Sequence, residues 1–181
     1  VILTSDQGCI VDTKARVSTA EPYQLGKQWL FEGGLRVPLI VRWPGTVAPS
    51  SHSEQLTWNA DFFPTILDAA GLPAQPEAAV DGISIMSALR GQPVSVPRTW
   101  HWIYPLYRNA VRPCMAVRRG NLKLIHWYHD DVSRLFDVVH DHREQTDLMQ
   151  HRPVDADRLL SEVRSSPLAR YLNRRREATA D

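Results

Sequence analysis

The sequence predicts an α/β layer at its start, followed by a small antiparallel sheet with a terminal helix, an α+β arrangement. Three observations predict it. The opening run VILTSD is apolar and ends in polar residues, as a buried parallel strand of an α/β sheet does. The segment NADFFPTILDAAGLP carries helix start and stop signals. After Pro97 the pattern changes to alternation of apolar with polar or basic residues, in RTWHWIY and in CMAVRRGNLKLIHWYH. The expected divisions are 1–96 for the α/β part, 97–166 for the small sheet with its helix, and 167–181 for a polar tail.

Taken in order, VILTSD is the first strand. GCIVDTKARVSTAEPYQLGKQW is polar with weak periodicity and reads as a long loop, a class that is functional or disordered in compact domains. In FEGGLRVPLIVRWPG, Gly33 and Gly34 permit a tight backbone path, and VPLIVRW is a second strand with Pro38 at its start or at an edge. In the first helix Asn59 or Asp61 is placed to cap, and Pro64 fits the first turn. Phe63, Ile66, Leu67 and Ala70 share a face, and Gly71 with Pro73 is a stop. SIMSALRG is a short second helix ending at Gly91. RRGN is a hairpin turn, SRLFDVVHD a further antiparallel strand, and DADRLLSEVRSSPLARYL a terminal helix broken at Pro167.

A chain of 181 residues suffices for one ordinary domain or for two small layers sharing a core. Lys and Arg number 21 against 20 Asp and Glu, and this balance argues against a dedicated nucleic-acid binder. The run Arg174 to Glu177 reads as a solvated tail. Cys9 and Cys114 form no Cys-x-x-Cys pair, so no zinc or redox motif is indicated, and two free thiols are the simpler reading. No apolar stretch is long enough to cross a bilayer; no signal peptide is read either, which excludes little because the opening residues are expected to begin in mid-strand.

Candidate chemistry begins at Asp6-Gln7-Gly8, because ligands of open α/β sheets bind beyond the carboxyl ends of strands. Asp6 offers a hard anionic oxygen and Gln7 an amide oxygen, both suited to calcium, which takes about six to eight oxygens. Two side chains leave most of that shell to be supplied elsewhere. From the triplet alone, an aspartate capping the following turn is the simpler reading. Lys27, on a glycine-flanked loop, offers a compact positive charge to an anionic oxygen. Taken alone it is a surface lysine.

The combination carries more. TSDQG, then a loop, then GKQWLFEGGLRVPLIVRWPG resembles the C-terminal portion of a type I sulfatase, arylsulfatase-like, of the alkaline-phosphatase-like superfamily. NADFFPTILDAAGLP, DGISIMSALRG, MAVRRGNLKLI and RLFDVVHDHREQTDLM continue the resemblance in the family order, from Val1 to about residue 165. It implies a remnant of an alkaline-phosphatase-like parallel-sheet domain followed by the small antiparallel sheet. It implies a sulfuric ester hydrolase that uses a formylglycine nucleophile and a divalent cation, usually calcium. Asp6 matches a metal ligand of the family, Gln7 the neighbouring ligand position that is usually Asn, and Lys27 the lysine that grips the sulfate. The residue after that lysine is usually Gly and is Gln28 here. Export to the periplasm or beyond the cell is common in the family.

The physical logic agrees. Sulfate-ester cleavage builds negative charge on oxygen, and a cation and a fixed ammonium stabilise it. Glu32 and Arg36 are expected to tie the loop to the core by ion pairing, without a catalytic part. A Cys-x-Pro-x-Arg motif is absent from the sequence, and CMAVR, Cys114 to Arg118, lacks the Pro and reads as strand. The family's other Asp ligands and its histidines have no match. The expectation is therefore a chain that lacks the nucleophile segment, is inactive alone, and starts at one of the last strands of its larger domain. The parent would act on a sulfated sugar or aryl sulfate. Two alternatives stand beside this: a non-catalytic interaction module or partner of a separate N-terminal half, and a phosphate or phosphonate ester hydrolase of the same superfamily. His101, His126, His129, His140 and His142 are expected at the surface. Trp100, Trp102 and Tyr104 are expected to form one core-facing stripe.

Overall fold

The computed structural model describes residues 1–11, 18–75, 77–78, 81–92, 96–107 and 111–169. The run Arg174 to Glu177 and residues 12–17 of the long loop lie outside these. The chain divides into two compact units, Val1–Asp6 with Pro38–Pro97, and Gln7–Val37 with Arg98–Asp181.

In the first unit, β1 (Ile2–Thr4) and β2 (Leu39–Val41) pair antiparallel, with Leu3 opposite Ile40. All three residues of β1 are exposed. The apolar run had suggested a parallel strand buried on both faces. Such a run reports that a strand requires cover, and it carries no information on the direction of its partner. Pro38 stands just before β2, as expected, where a missing N–H interrupts no ladder.

A 3₁₀ turn, Asn59–Asp61, leads into α2 (Phe62–Ala69), which is preceded in the chain by the short α1 (Glu32–Leu35). Asp61 is wholly buried and stands at the N-cap of α2, as expected, but its side chain makes no cap bond to that helix. Its carboxylate accepts the N–H groups of Trp58 at 3.1 Å and Ile83 at 2.9 Å, so it staples a remote segment to the turn. Thr65 is the buried residue of α2, and its hydroxyl accepts the N–H of Ile85 at 3.0 Å, next to α3 (Met86–Leu89). The expected apolar stripe faces the other way: Phe63 and Ile66 are 43% and 57% exposed. The helix period was legible, whereas the face that this unit covers was not. The stop is as expected, with Gly71 at φ +68 and Leu72 N–H donating to the Leu67 carbonyl at 2.9 Å.

The second unit is built on a four-stranded antiparallel meander, β3 (Thr99–Tyr104), β4 (Cys114–Arg119), β5 (Leu122–Trp127) and β6 (Val132–Asp137). Arg119 pairs with Leu122 across the expected hairpin turn at Gly120-Asn121. Alternation gives the sheet two buried faces. Met115, Val117, Leu124 and Leu135 pack with Leu159 and Val163 of α4 (Pro153–Ser165). Pro153 occupies the first helical position, and the helix ends where Ser166 turns extended before Pro167, as expected.

The opposite face, with Ala116, Ile125 and Phe136, packs against Leu30 and Phe31 of the segment entering α1 (Glu32–Leu35). The Phe31 ring lies 6.0 Å from Trp127 and 5.9 Å from Phe136. Trp102 and Tyr104 join this core and Trp100 stacks on Trp102, so the stripe is core, and CMAVR is β4. Four of the histidines are exposed as expected, and His126 is not. It is 3% exposed, its ring is T-shaped on Tyr128 at 4.6 Å, and Nδ1 lies 2.9 Å from the Ser133 hydroxyl. Its place in the strand alternation turns it under α4, and the sheet register supplies its polar partner.

Among the described residues, no helix is long and apolar enough to cross a membrane.

Candidate functional site

The three expected site residues fall on two backbone segments. Gln7 and Lys27 belong to the second unit, and Asp6 ends the first stretch of the other. Within the second unit, residues 7–9 and 26–34 are fused backbone to backbone. Gly8 N–H donates to the Gly34 carbonyl at 2.9 Å, and Lys27 N–H donates to the Cys9 carbonyl at 2.8 Å. Small residues make this approach possible. A Cβ on Gly8 would stand 1.9 Å from the Gly33 carbonyl oxygen, and one on Gly26 would stand 2.4 Å from the Cys9 carbonyl oxygen. The strand-end segment that carries Gln7 is thereby held against the loop that carries Lys27.

Lys27 is exposed and Gln7 is half-buried. The Asp6 carboxylate is exposed, with the Ser5 hydroxyl 3.5 Å away. Gln28 adopts φ +81, in the region that favours glycine. The loop thus keeps a glycine-type backbone at a position where it carries a side chain.

Hard oxygen donors such as the Asp6 carboxylate and the Gln7 amide fit a calcium-type cation in kind. In number they do not fill its shell, and among the described residues no group of three or more His, Cys, Asp or Glu side chains is placed to hold a metal.

Glu32 does tie the loop to the sheet, as expected. It meets Lys123 at 2.8 Å and Arg118 at 3.5 Å. Arg36 acts differently, with its guanidinium 5.2 Å from the centre of the Tyr23 ring. Sequence reading passed over Lys123 and Glu144, both fully buried at the side chain, with Lys123 Nζ 2.7 Å from Glu144 Oε1. A signal for Lys123 was available: it shares a face of β5 with Ile125 and Trp127, so a charge stands inside an apolar stripe. Both cysteines are free thiols.

Residues 21–165 match the family model described as N-sulphoglucosamine sulphohydrolase, C-terminal. A sulfatase of Formosa agariphila is 32% identical over 84% of this chain and 29% of its own length. Human arylsulfatase A is 36% identical over 68% of this chain and 24% of its own. A solved structure in complex with its substrate D-glucosamine-2-N,6-O-disulfate superposes with a TM-score of 0.63 at 27% identity, covering 75% of this chain and 29% of that one. The chain thus spans less than a third of each of these relatives.

Proposed function

The chain belongs to the sulfatases, in the family of N-sulphoglucosamine sulphohydrolase C-terminal regions, and from that membership we propose that it forms the C-terminal part of a sulfuric ester hydrolase in which Lys27 holds a sulfate oxygen. The observation that carries the reading is the glycine-built junction, which fixes the Gln7 segment against the Lys27 loop through bonds of 2.9 and 2.8 Å. In this reading Asp6 and Gln7 contribute two oxygens to a calcium ion. Such an ion, when bound, withdraws charge from the sulfate oxygens as a Lewis acid.

The rest follows from this chain's own residues. Hydrolysis breaks the bond between sulfur and the ester oxygen, and negative charge grows on the departing and non-bridging oxygens. An ammonium on a fixed loop meets that charge without reorganising. The nucleophile is not among these 181 residues, which hold no Cys-x-Pro-x-Arg. It and the remaining metal ligands belong, in this proposal, to an N-terminal half. Ile2, Leu3 and Ile40 of the two-stranded sheet and Phe63 and Ile66 of α2 are exposed apolar side chains of the first unit, suited to contact with such a half. A sulfated sugar is the proposed substrate class, by analogy with the disulfated glucosamine bound by the similar solved structure.

The test is hydrolysis of 4-nitrophenyl sulfate with calcium, by the 181-residue chain and by the full-length enzyme that carries it. The chain alone gives no turnover above buffer. In the full-length enzyme Lys27→Met lowers kcat/KM by roughly 10²-fold or more, the scale of losing one charge-stabilising group. Wild-type rates in that variant refute the role of Lys27.

A further inference from the structure

A buried ammonium is unfavourable unless it is fully paired. Lys123 is wholly buried on the sheet face that packs against Leu30 and Phe31. Its Nζ stands 2.8 Å from Glu32 Oε1 and 2.7 Å from Glu144 Oε1. Glu144 Oε1 has no aligned hydrogen-bond donor among the described residues, so the Lys123 charge is what meets it. Glu144 Oε2 accepts the backbone N–H of Glu32 at 2.6 Å, and the Glu144 carbonyl accepts Gln24 Nε2 at 2.9 Å. Arg118 completes the group from β4, 3.5 Å from Glu32 Oε2. Two carboxylates and two cations balance. Glu144 itself adopts φ +52, in the left-handed region. Burial pushes its carboxyl above the ordinary glutamate range, with Lys123 pulling the other way.

The sheet has a second core, filled by α4, on the face away from this cluster. The segment 24–34 depends on the cluster more. Its only helical residues are the first three of α1, and its apolar plug is Leu30 and Phe31. Apolar contact is non-directional and tolerates sliding. Charge-assisted bonds fix position. We propose that Lys123, Glu32 and Glu144 form a positioning latch that sets the place of the Lys27 loop on the sheet, separately from the stability of the sheet itself. This rests on the reading of Lys27 as an anion-holding residue.

The test uses the double variant Lys123→Met/Glu144→Gln, which removes one charge of each sign and leaves Glu32 with Arg118. Amide hydrogen exchange reads position, and inorganic sulfate, followed at the Gly26 and Lys27 amides by NMR, reads function. The amides of Lys27, Trp29 and Gly34, which bond to Cys9, Gly26 and Phe31, exchange at least about tenfold faster, while those of Leu124 and Leu135 keep their rates. Sulfate affinity falls at least about fivefold. Equal acceleration across sheet and loop, or no acceleration in the loop, overturns the latch. Should the double variant not fold, Glu144→Gln alone must show the same contrast between loop and sheet, and its absence overturns the latch as well. An exchange contrast that persists while Lys27→Met in the full-length enzyme keeps the wild-type kcat/KM refutes the Lys27 assignment and supports the latch.

Discussion

Gly8 and Gly34 touch through backbone alone: the Gly8 N–H reaches the Gly34 carbonyl at 2.9 Å, and a Cβ on Gly8 would lie 2.8 Å from the Gly34 Cα. Neither segment has side-chain slack with which to yield. Gly8→Ala is therefore expected to lower stability by about 1–3 kcal/mol, as overpacking does. Urea unfolding measures it. A midpoint equal to wild type would mean that residues 7–9 and 26–34 part freely.

Gln28 holds a left-handed φ of +81 on the same loop. A side chain there is strained by roughly 1–2 kcal/mol, against which glycine loses part of the gain through its freer unfolded chain. Gln28→Gly is expected to raise the thermal midpoint, by up to about 1 kcal/mol of stability. A β-branched Gln28→Val is expected to lower it. Calorimetry on the three proteins orders them Gly, Gln, Val, and any other order counts against a strained loop.

Cys114 lies within β4, and burial pushes its thiol up to about 12. Reaction requires the thiolate and access to it. In the native chain at pH 8, a disulfide reagent is expected to titrate Cys9, which is half-buried, and to leave Cys114 untouched until guanidinium is added. Fast loss of two thiols in the native state would show that β4 opens readily.

Asp137, at the end of β6, is desolvated, which raises its pKa. The hydrogen bonds it accepts outweigh this: from the His140 ring, 3.0 Å away, and from the N–H groups of His140 and Val139 at 3.2 Å each. The net shift is downward from 3.8. A carboxyl lowered in the folded state contributes stability above its unfolded pKa and loses it as pH falls through the folded value. Asp137→Asn is expected to destabilise the protein by about 1 kcal/mol near neutral pH, with the difference from wild type shrinking below pH 4. Denaturant melts at pH 7, 4 and 3 test this, and a gap that widens with acid contradicts it.

The sulfatase resemblance was carried by ordered local motifs, and the family match over residues 21–165 agrees with it. The solved structure with bound D-glucosamine-2-N,6-O-disulfate that superposes at a TM-score of 0.63 agrees with the expected fold. Period also survived translation into structure. The alternation in RTWHWIY and CMAVRRGNLKLIHWYH became β3, β4 and β5, and Pro167 marked the end of α4. Each of these depends on neighbours within a few residues, through steric fit and side-chain direction.

Tertiary structure decided the rest. It paired β1 antiparallel with β2, turned Phe63 and Ile66 outward while burying Thr65, and hid His126. It also brought Lys123 to Glu32 across 91 residues of chain. No local pattern encodes such a meeting, because the free energy of a buried charge is set by which opposite charges arrive beside it, and only the folded chain determines that.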